Sequence, residues 1–391
     1  MTASASAAVL DPAAPRLRVL TTSLVLRPLG GIELCMLQDI GALVARGHQF
    51  DLLYTFGGEQ RATYRSMGVR VRGPHGFTVG LPFAPLQLLG FVPSIVRAMR
   101  SRSDVLWLNR SEQAIWAQLA ARAARLPIVV HLHHAPNFRA TRTVMTGVAR
   151  FIAVSHYTKS LWVAAGIDAD RITVVHNAVP LDSYPAGGAD RLEPARRDLG
   201  LDVATGARVV LYYGRPEASK GVLTLVRAWA RLGLDPSRAV LVIAGPRPEG
   251  AVAKALAELP EGTWRLLGVQ SDVVPLLHAA DVVVMPSEVP EAFGRVLIEA
   301  MSTGRPVVGT DVGAIPEVLG GEFARLVVPV ADPEALGDAL VGLLDWRDDD
   351  PELGARCRAW VEAEFPFDAH VDGVEAVLRE HARPRRRRGR G

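Results

Sequence analysis

Lysine is almost missing from this chain: three lysines stand beside 41 arginines in 391 residues. Cysteine is scarcer still, and Cys35 and Cys357 lie far apart with no metal or redox spacing, which fits a reduced cytoplasmic compartment. The N-terminus lacks the positive charge and compact apolar core of a signal peptide, and residues 1–16, rich in Ala and Ser, read as a disordered leader. A basic body is lacking too. Six arginines crowd into residues 383–391, and removing them takes the formal charge from +3 to −3. A slightly acidic body has no face for displacing counterions, so nucleic acid is excluded as its partner. No Gly-x-Gly-x-x-Gly follows the first strand, and no Asp-x-Asp ends an apolar strand. Charge is absent altogether from residues 76–96, a stretch long enough to span a bilayer. Pro82, Pro85 and Pro93 would break a continuous helix there, so the expectation is a loop and a helix, packed inside the domain or touching a membrane surface.

What is present is alternation. The length implies two domains of about 150–200 residues each. Short β-branched runs alternate with longer helical ones, the mark of parallel sheets covered by helices. In the first half the strands fall at residues 18–24, 49–54, 105–109, 128–133, 151–154 and 172–176, with helices such as 33–46 and 113–125 between them. Gly47 follows the first of these helices as a left-handed stop. The pattern lapses over residues 181–206, read as a linker and a short helix. It resumes with strands at 209–213, 239–244, 264–267, 281–285, 306–309 and 324–328. The expected fold is α/β: two tandem doubly wound, Rossmann-like domains, residues 17–180 and 207–365, facing across an interdomain cleft. A last helix within 366–382 crosses back to the first domain, and residues 383–391 form an Arg-rich tail. Ligands of such sheets bind at the carboxyl ends of the strands.

Four groups of residues carry chemistry. Gly214-Arg215-Pro216-Glu217-Ala218-Ser219-Lys220-Gly221 joins a strand to a helix, placing Arg215 and Lys220 beside free backbone N–H groups and a helix dipole. A guanidinium there offers phosphate a bidentate donor and an ammonium adds a point charge; a solvated basic loop is the alternative. Glu291-Ala292-Phe293-Gly294 precedes a helix starting near Gly294, with Glu299 one to two turns inside it. Two carboxylates so placed suit sugar and ribose hydroxyls. Glycosidase acid/base work, or a surface carboxylate plus a helix charge pair, would fit the same spacing. Gly30-Gly31, after the first strand, permits close backbone approach to a phosphate or sugar, with plain turn geometry as the alternative. His131-Leu132-His133-His134 ends a strand, so His131 and His133 share one face and His134 enters the loop. A histidine there could donate to a sugar hydroxyl; zinc binding and satisfied core histidines are the alternatives.

Together these features resemble the retaining glycosyltransferases of the GT-B fold, in particular family four. The resemblance runs through Gly30-Gly31-Ile32-Glu33, Arg46-Gly47-His48, Ile152-Ala153-Val154-Ser155, Val174-Val175-His176-Asn177, Gly214-Arg215 with Lys220-Gly221, and Ala280-Asp281. Its most specific part is Pro286-Ser287 through Glu291, Phe293-Gly294 and Glu299-Ala300-Met301 to Gly304-Arg305-Pro306. Ala178 departs from the pattern, which usually has Gly after the asparagine. The resemblance implies a nucleotide-diphosphate sugar held mainly by the second domain, with Arg215 and Lys220 on the diphosphate and Glu299 on the ribose. Glu291 and the Phe293-Gly294 backbone would hold the sugar, and backbone around Val269 the base. Gly30 and Gly31 would approach the diphosphate from the first, acceptor-side domain. Its strand-end histidine falls best on His133, with His134 and Ser155 as acceptor-side candidates. The implied catalytic set is His133, Arg215, Lys220 and Glu291, with no cofactor and no essential metal. The implied acceptor is a glycan, a lipid-linked glycan or a small molecule, in cell-envelope or polysaccharide biosynthesis. The expected setting is cytoplasmic. Peripheral contact of residues 76–96 or the Arg-rich tail with the inner face of an anionic membrane is a separate reading, with a packed acceptor-side helix and a solubilising tail as the alternative. A nucleotide-sugar epimerase, a sugar phosphorylase and a catalytically silent nucleotide-sugar-binding subunit are the rival readings.

Overall fold

The computed structural model describes residues 15–28, 30–78, 85–136, 141–201, 203, 204 and 206–384. Almost all of the expected leader, most of the Arg-rich tail, and Pro82 within the uncharged stretch lie outside these residues. The chain forms two compact units, Met1–Asn177 with Phe367–Gly391, and Ala178–Pro366.

The first unit is built on β1 (Arg18–Val25), β2 (Gln49–Phe56), β3 (Arg70–Arg72), β4 (Val105–Leu108), β5 (Ile128–Leu132), β6 (Arg150–Ala153) and β7 (Ile172–Val174). Every pairing is parallel and the order is β3-β2-β1-β4-β5-β6-β7. A parallel sheet buried on both faces needs continuous apolar runs, and β4 and β5 are buried at every residue. The order reverses between β1 and β4, which makes their carboxyl ends the switch point of this sheet. The helix Gly31–Ala45 leaves β1 and stops at Gly47, whose φ of 91° is the left-handed conformation that glycine adopts without strain.

The last helix, Phe367–His381, packs in this unit through charged anchors. Arg46 reaches Asp372 at 2.6 Å and Glu375 at 2.9 Å, and His48 meets Glu375 at 2.9 Å. His370 Nε2 contacts Asp39 at 2.9 Å. Burial works against the Glu375 carboxylate, but hydrogen bonds from Arg46, His48 and Arg379 outweigh it and hold its pKa at about 2.

The uncharged stretch 76–96 continues into a 3-10 turn, Pro85–Phe91, and a short helix, Val92–Arg100. Pro93 does not break this helix; it sits in the first turn, where a missing N–H costs nothing. No described helix is long and apolar enough to cross a membrane.

The second unit holds β8 (Arg208–Tyr213), β9 (Ala239–Ala244), β10 (Trp264–Leu267), β11 (Val282–Met285), β12 (Val307–Thr310) and β13 (Val327–Val328). They form a parallel sheet in the order β10-β9-β8-β11-β12-β13, with its switch point between β8 and β11. The two sheets give the two tandem doubly wound domains expected from the alternation. Part of the segment read as a linker is the helix Ala189–Asp198, which belongs to this unit. Its Arg196 reaches the buried Asp281 at 2.7 Å, and Arg347 meets the same carboxylate at 3.1 Å. Arg305 is fully buried and donates to the carbonyls of Ala280, Gly187, Thr303 and His278.

Candidate functional site

In the second unit, the loops after β8 and β11 meet at the switch point. Gly221 has a φ of 71°, and a Cβ there would lie 1.6 Å from the Pro286 carbonyl oxygen, so only glycine lets the two loops touch. Gly245, after β9, is held in the same way: its Cβ would lie 2.0 Å from the Gly214 carbonyl oxygen. Gly313, after β12, lies under Glu291, where a Cβ would come within 2.4 Å of the Glu291 backbone, and the Ala314 N–H donates to the Glu291 carbonyl at 2.9 Å. Four strand-end loops are therefore packed backbone to backbone.

This packing sets the charged groups. Lys220 Nζ donates to Glu291 Oε1 at 2.7 Å, and Ser287 Oγ donates to the same oxygen at 2.7 Å. Ser287 is fixed in turn by Thr310, whose hydroxyl donates to the Ser287 carbonyl at 2.6 Å. Arg215 is free to move by comparison, with a side chain 68% exposed and Glu217 at 3.3 Å. Beside it lies a cavity of about 400 Å³ lined by Arg215, Pro216, Glu217, Pro246, Arg247 and Glu249. Gly294, with a φ of 88°, opens the helix Arg295–Ser302. Phe293 is buried edge-on against Phe365, with ring centroids 5.5 Å apart, so only its backbone is available to a ligand. Val269 is exposed in the loop after β10.

Glu299 is engaged within the unit. Arg295, one turn back, donates to Oε1 at 2.6 Å, Tyr184 OH donates to Oε1 at 3.2 Å, and Tyr213 OH donates to Oε2 at 2.8 Å. Burial and this carboxylate push both phenols well above the ordinary tyrosine range. A helix charge pair, one of the arrangements compatible with the sequence spacing, therefore describes Glu299, in the interior and not on the surface. A carboxylate has about four acceptor sites, so these three donors leave room for one ligand hydroxyl at most.

The first unit has a second constellation at its own switch point. Gly30 caps the helix Gly31–Ala45 with a φ of −174°, extended backbone that any residue adopts, and a Cβ there would meet nothing closer than 3.5 Å. Neither the backbone nor the packing of the described residues demands glycine at this position. Arg110, just past β4, pairs with the buried Glu33 on that helix. His133 is buried, with Nε2 3.3 Å from Asn109 Oδ1. Burial, with His134, His370 and Arg110 nearby, pushes its pKa down to about 3, so its imidazole is neutral. His134 is the opposite case: burial alone would lower its pKa, but the Glu112 carboxylate 3.2 Å away and the Ala135 carbonyl raise it. His131 is fully buried between Trp107 and His133, and neither of its ring nitrogens has a hydrogen-bond partner among the described residues. Ser155 is buried and accepts from the Thr158 N–H at 2.9 Å, which caps the helix His156–Ala164.

The structure thus brings Lys220, Glu291 and Gly294 to one switch point and Gly30, Gly31 and His133 to the strand ends of the other unit. The sequence marks Ser287 only as part of a motif, with no role, and does not single out Gly245, Gly313 or the two tyrosines, Tyr184 and Tyr213, that engage Glu299. The i,i+4 spacing of Arg295 and Glu299 was the one local signal for that last group; the others depend on contacts between separate loops.

Two parallel, doubly wound sheets in tandem, each with its loops gathered at a switch point, define the GT-B class of fold. More than nine tenths of the chain matches proteins of that class. The Rickettsia africae glycosyltransferase matches with a TM-score of 0.81 at 19% identity, covering 94% of this chain and 99% of that one. Anabaena HepE, solved in complex with UDP and glucose, matches with a TM-score of 0.78 at 20% identity, covering 93% and 100%. Residues 29–183 match the family model for Glycosyltransferase Family 4, and residues 207–345 match that for Glycosyl transferases group 1. The chain belongs to the family 4 glycosyltransferases. The D-inositol 3-phosphate glycosyltransferase of Corynebacterium glutamicum (strain R) is 34% identical over 46% of this chain and 44% of its own length. The chain thus spans less than half of that relative. The enzyme of the same name from Mycolicibacterium vanbaalenii is 29% identical over 89% of this chain and 84% of its own.

Proposed function

We propose that this chain is a glycosyltransferase that moves a sugar from a nucleotide-diphosphate donor to a hydroxyl acceptor, with retention and without an essential metal. Family membership supports transfer. The observation that carries the donor reading is Lys220, held at the switch point of the second unit by Glu291 Oε1 at 2.7 Å.

Departure of the diphosphate leaves negative charge on its oxygens while positive character grows at the anomeric carbon. Lys220 and Arg215 stabilise the leaving group as preorganised cations. Lys220 is already oriented by Glu291, so binding replaces or shares one charge-assisted contact and does not immobilise a free side chain. Glu291 and the Gly294 backbone hold the sugar, Glu299 offers its remaining acceptor site to the ribose, and backbone at Val269 meets the base. In the first unit, Gly30 and Gly31 admit the diphosphate and neutral His133 hydrogen-bonds a sugar hydroxyl. Among the described residues none is an evident covalent nucleophile, and attack by the acceptor on the face the diphosphate leaves is compatible with that. The acceptor is a glycan, a lipid-linked glycan or a small polyol, and the setting is the cytoplasmic side of a membrane in peripheral contact with it.

The test is transfer from a panel of labelled nucleotide sugars to polyol, glycan and lipid-linked acceptors, with and without EDTA. The expected product is a labelled glycoside with the donor's anomeric configuration, formed equally well in the chelator. An epimerised nucleotide sugar would overturn transfer in favour of epimerase chemistry. Tight donor binding with no turnover across the panel would assign the chain to the silent subunit.

A further inference from the structure

The helix Val92–Arg100 packs Ala98 and part of Ile95 on the core, yet it also turns apolar side chains toward solvent. Its inner side carries Ser94 and Ala98, both buried, with Ser94 Oγ donating to the Phe91 carbonyl at 2.8 Å and accepting from Trp116 Nε1 at 2.8 Å. Its solvent side carries Val92 and Met99, 50% and 54% exposed and seven residues apart, hence on one face. Leu89, in the turn before the helix, is 64% exposed. Next to these apolar side chains stand the exposed Arg100 and Arg102, neither of which forms an ion pair among the described residues. The wider sequence adds no acid: residues 60–103 contain seven arginines and not one Asp or Glu.

A second basic segment reaches the same edge from the far end of the chain. The Arg383 N–H donates to the Asp104 carbonyl at 3.0 Å, and its guanidinium donates to the Ala124 carbonyl at 3.3 Å. Beyond the described residues, the sequence of 385–391 holds five further arginines.

We propose that this edge of the first unit docks on an anionic lipid surface. Leu89, Val92 and Met99 enter the boundary between headgroups and acyl chains, and the arginines meet the headgroup phosphates. A bilayer presents the two complementary layers together, anionic above and apolar beneath. A nucleic-acid backbone offers only the first and would leave the three apolar side chains in water. The proposal rests on the peripheral setting given above but not on glycosyl transfer, and it is measured without turnover.

The experiment is flotation of the full chain with vesicles of phosphatidylcholine alone or mixed with phosphatidylglycerol, at 0.1 and 1 M salt. Binding to the anionic vesicles only is expected, weakened at high salt as the Debye length falls from about 10 to about 3 Å. Val92→Ser with Met99→Ser lowers partitioning at least tenfold, and Arg100→Gln with Arg102→Gln costs about fivefold per arginine. These side chains are exposed, so thermal unfolding of the variants matches wild type. Truncation after Pro384 reduces binding further. Equal binding to both vesicle types, or serine variants that float like wild type, would overturn the proposal. So would displacement of the chain from anionic vesicles by RNA with no dependence on Val92 and Met99. Concentration-dependent dimers that the serine variants abolish, in a chain that does not float, would assign the face to a second copy.

Discussion

The two switch points solve the same problem in opposite ways. In the second unit, glycines at 221, 245 and 313 weld four loops together through backbone contact, and the polar groups they present are paired: Lys220 with Glu291, Ser287 with Glu291, Glu299 with three donors. In the first unit, Arg110–Glu33 and His133–Asn109 are paired, but both nitrogens of His131, Trp107 Nε1 and Gln113 Nε2 are buried with no partner among the described residues. Gly30 there is not required by its own backbone. The loops of one site are fixed by backbone contact, with Arg215 left exposed beside them. The interior of the other keeps polar atoms that the described residues do not satisfy.

The largest effect that would break this contrast is expected at Gly221. Gly221→Ala imposes a left-handed alanine and drives its Cβ into Pro286, a loss of about 3 kcal/mol or more, read as a lower urea midpoint for the second unit's transition. An unchanged midpoint would show that the loops are not welded. Glu375→Gln comes next, at about 2 kcal/mol, since it weakens three charge-assisted contacts of the last helix. The sign of its pH dependence is fixed. The folded pKa of about 2 is below that of the unfolded chain, so the contribution is complete above about pH 4.5 and disappears as pH falls toward 2. The difference in melting temperature between wild type and Glu375→Gln should therefore shrink across that window.

Gly30→Ala is expected to cost at most about 1 kcal/mol of stability yet slow transfer at least tenfold. Unaltered transfer would remove this glycine from the donor site. The smallest effect belongs to His131→Phe, within about 1 kcal/mol of wild type in stability, because the variant removes two buried nitrogens that have no partners. A large loss there would mean that the interior of the first unit is tuned as tightly as that of the second.

The same contrast explains what the sequence could show. Strand and helix alternation, the stop at Gly47, and the strand–loop–helix settings of Lys220 and Gly294 are local patterns, and the structure has them where the pattern lies. β3 escaped notice because three residues with arginine at both ends carry no readable alternation. The fate of Glu299 escaped because Tyr184 and Tyr213 reach it from 115 and 86 residues away. Histidine roles were the least legible. His133 and His134 are neighbours in sequence, yet burial, with His134, His370 and Arg110 nearby, keeps one neutral while Glu112 favours charge on the other.

The central claim is that Lys220 and Arg215 of the second unit receive the leaving diphosphate. Titration calorimetry with UDP, GDP, ADP and dTDP identifies the base, and the preferred nucleotide is then titrated into Lys220→Ala and Arg215→Ala. A charge-assisted contact contributes roughly 1.5–3 kcal/mol, so affinity should fall about ten- to a few-hundred-fold, more for the anchored lysine than for the exposed arginine. Wild-type affinity in both variants would contradict the account.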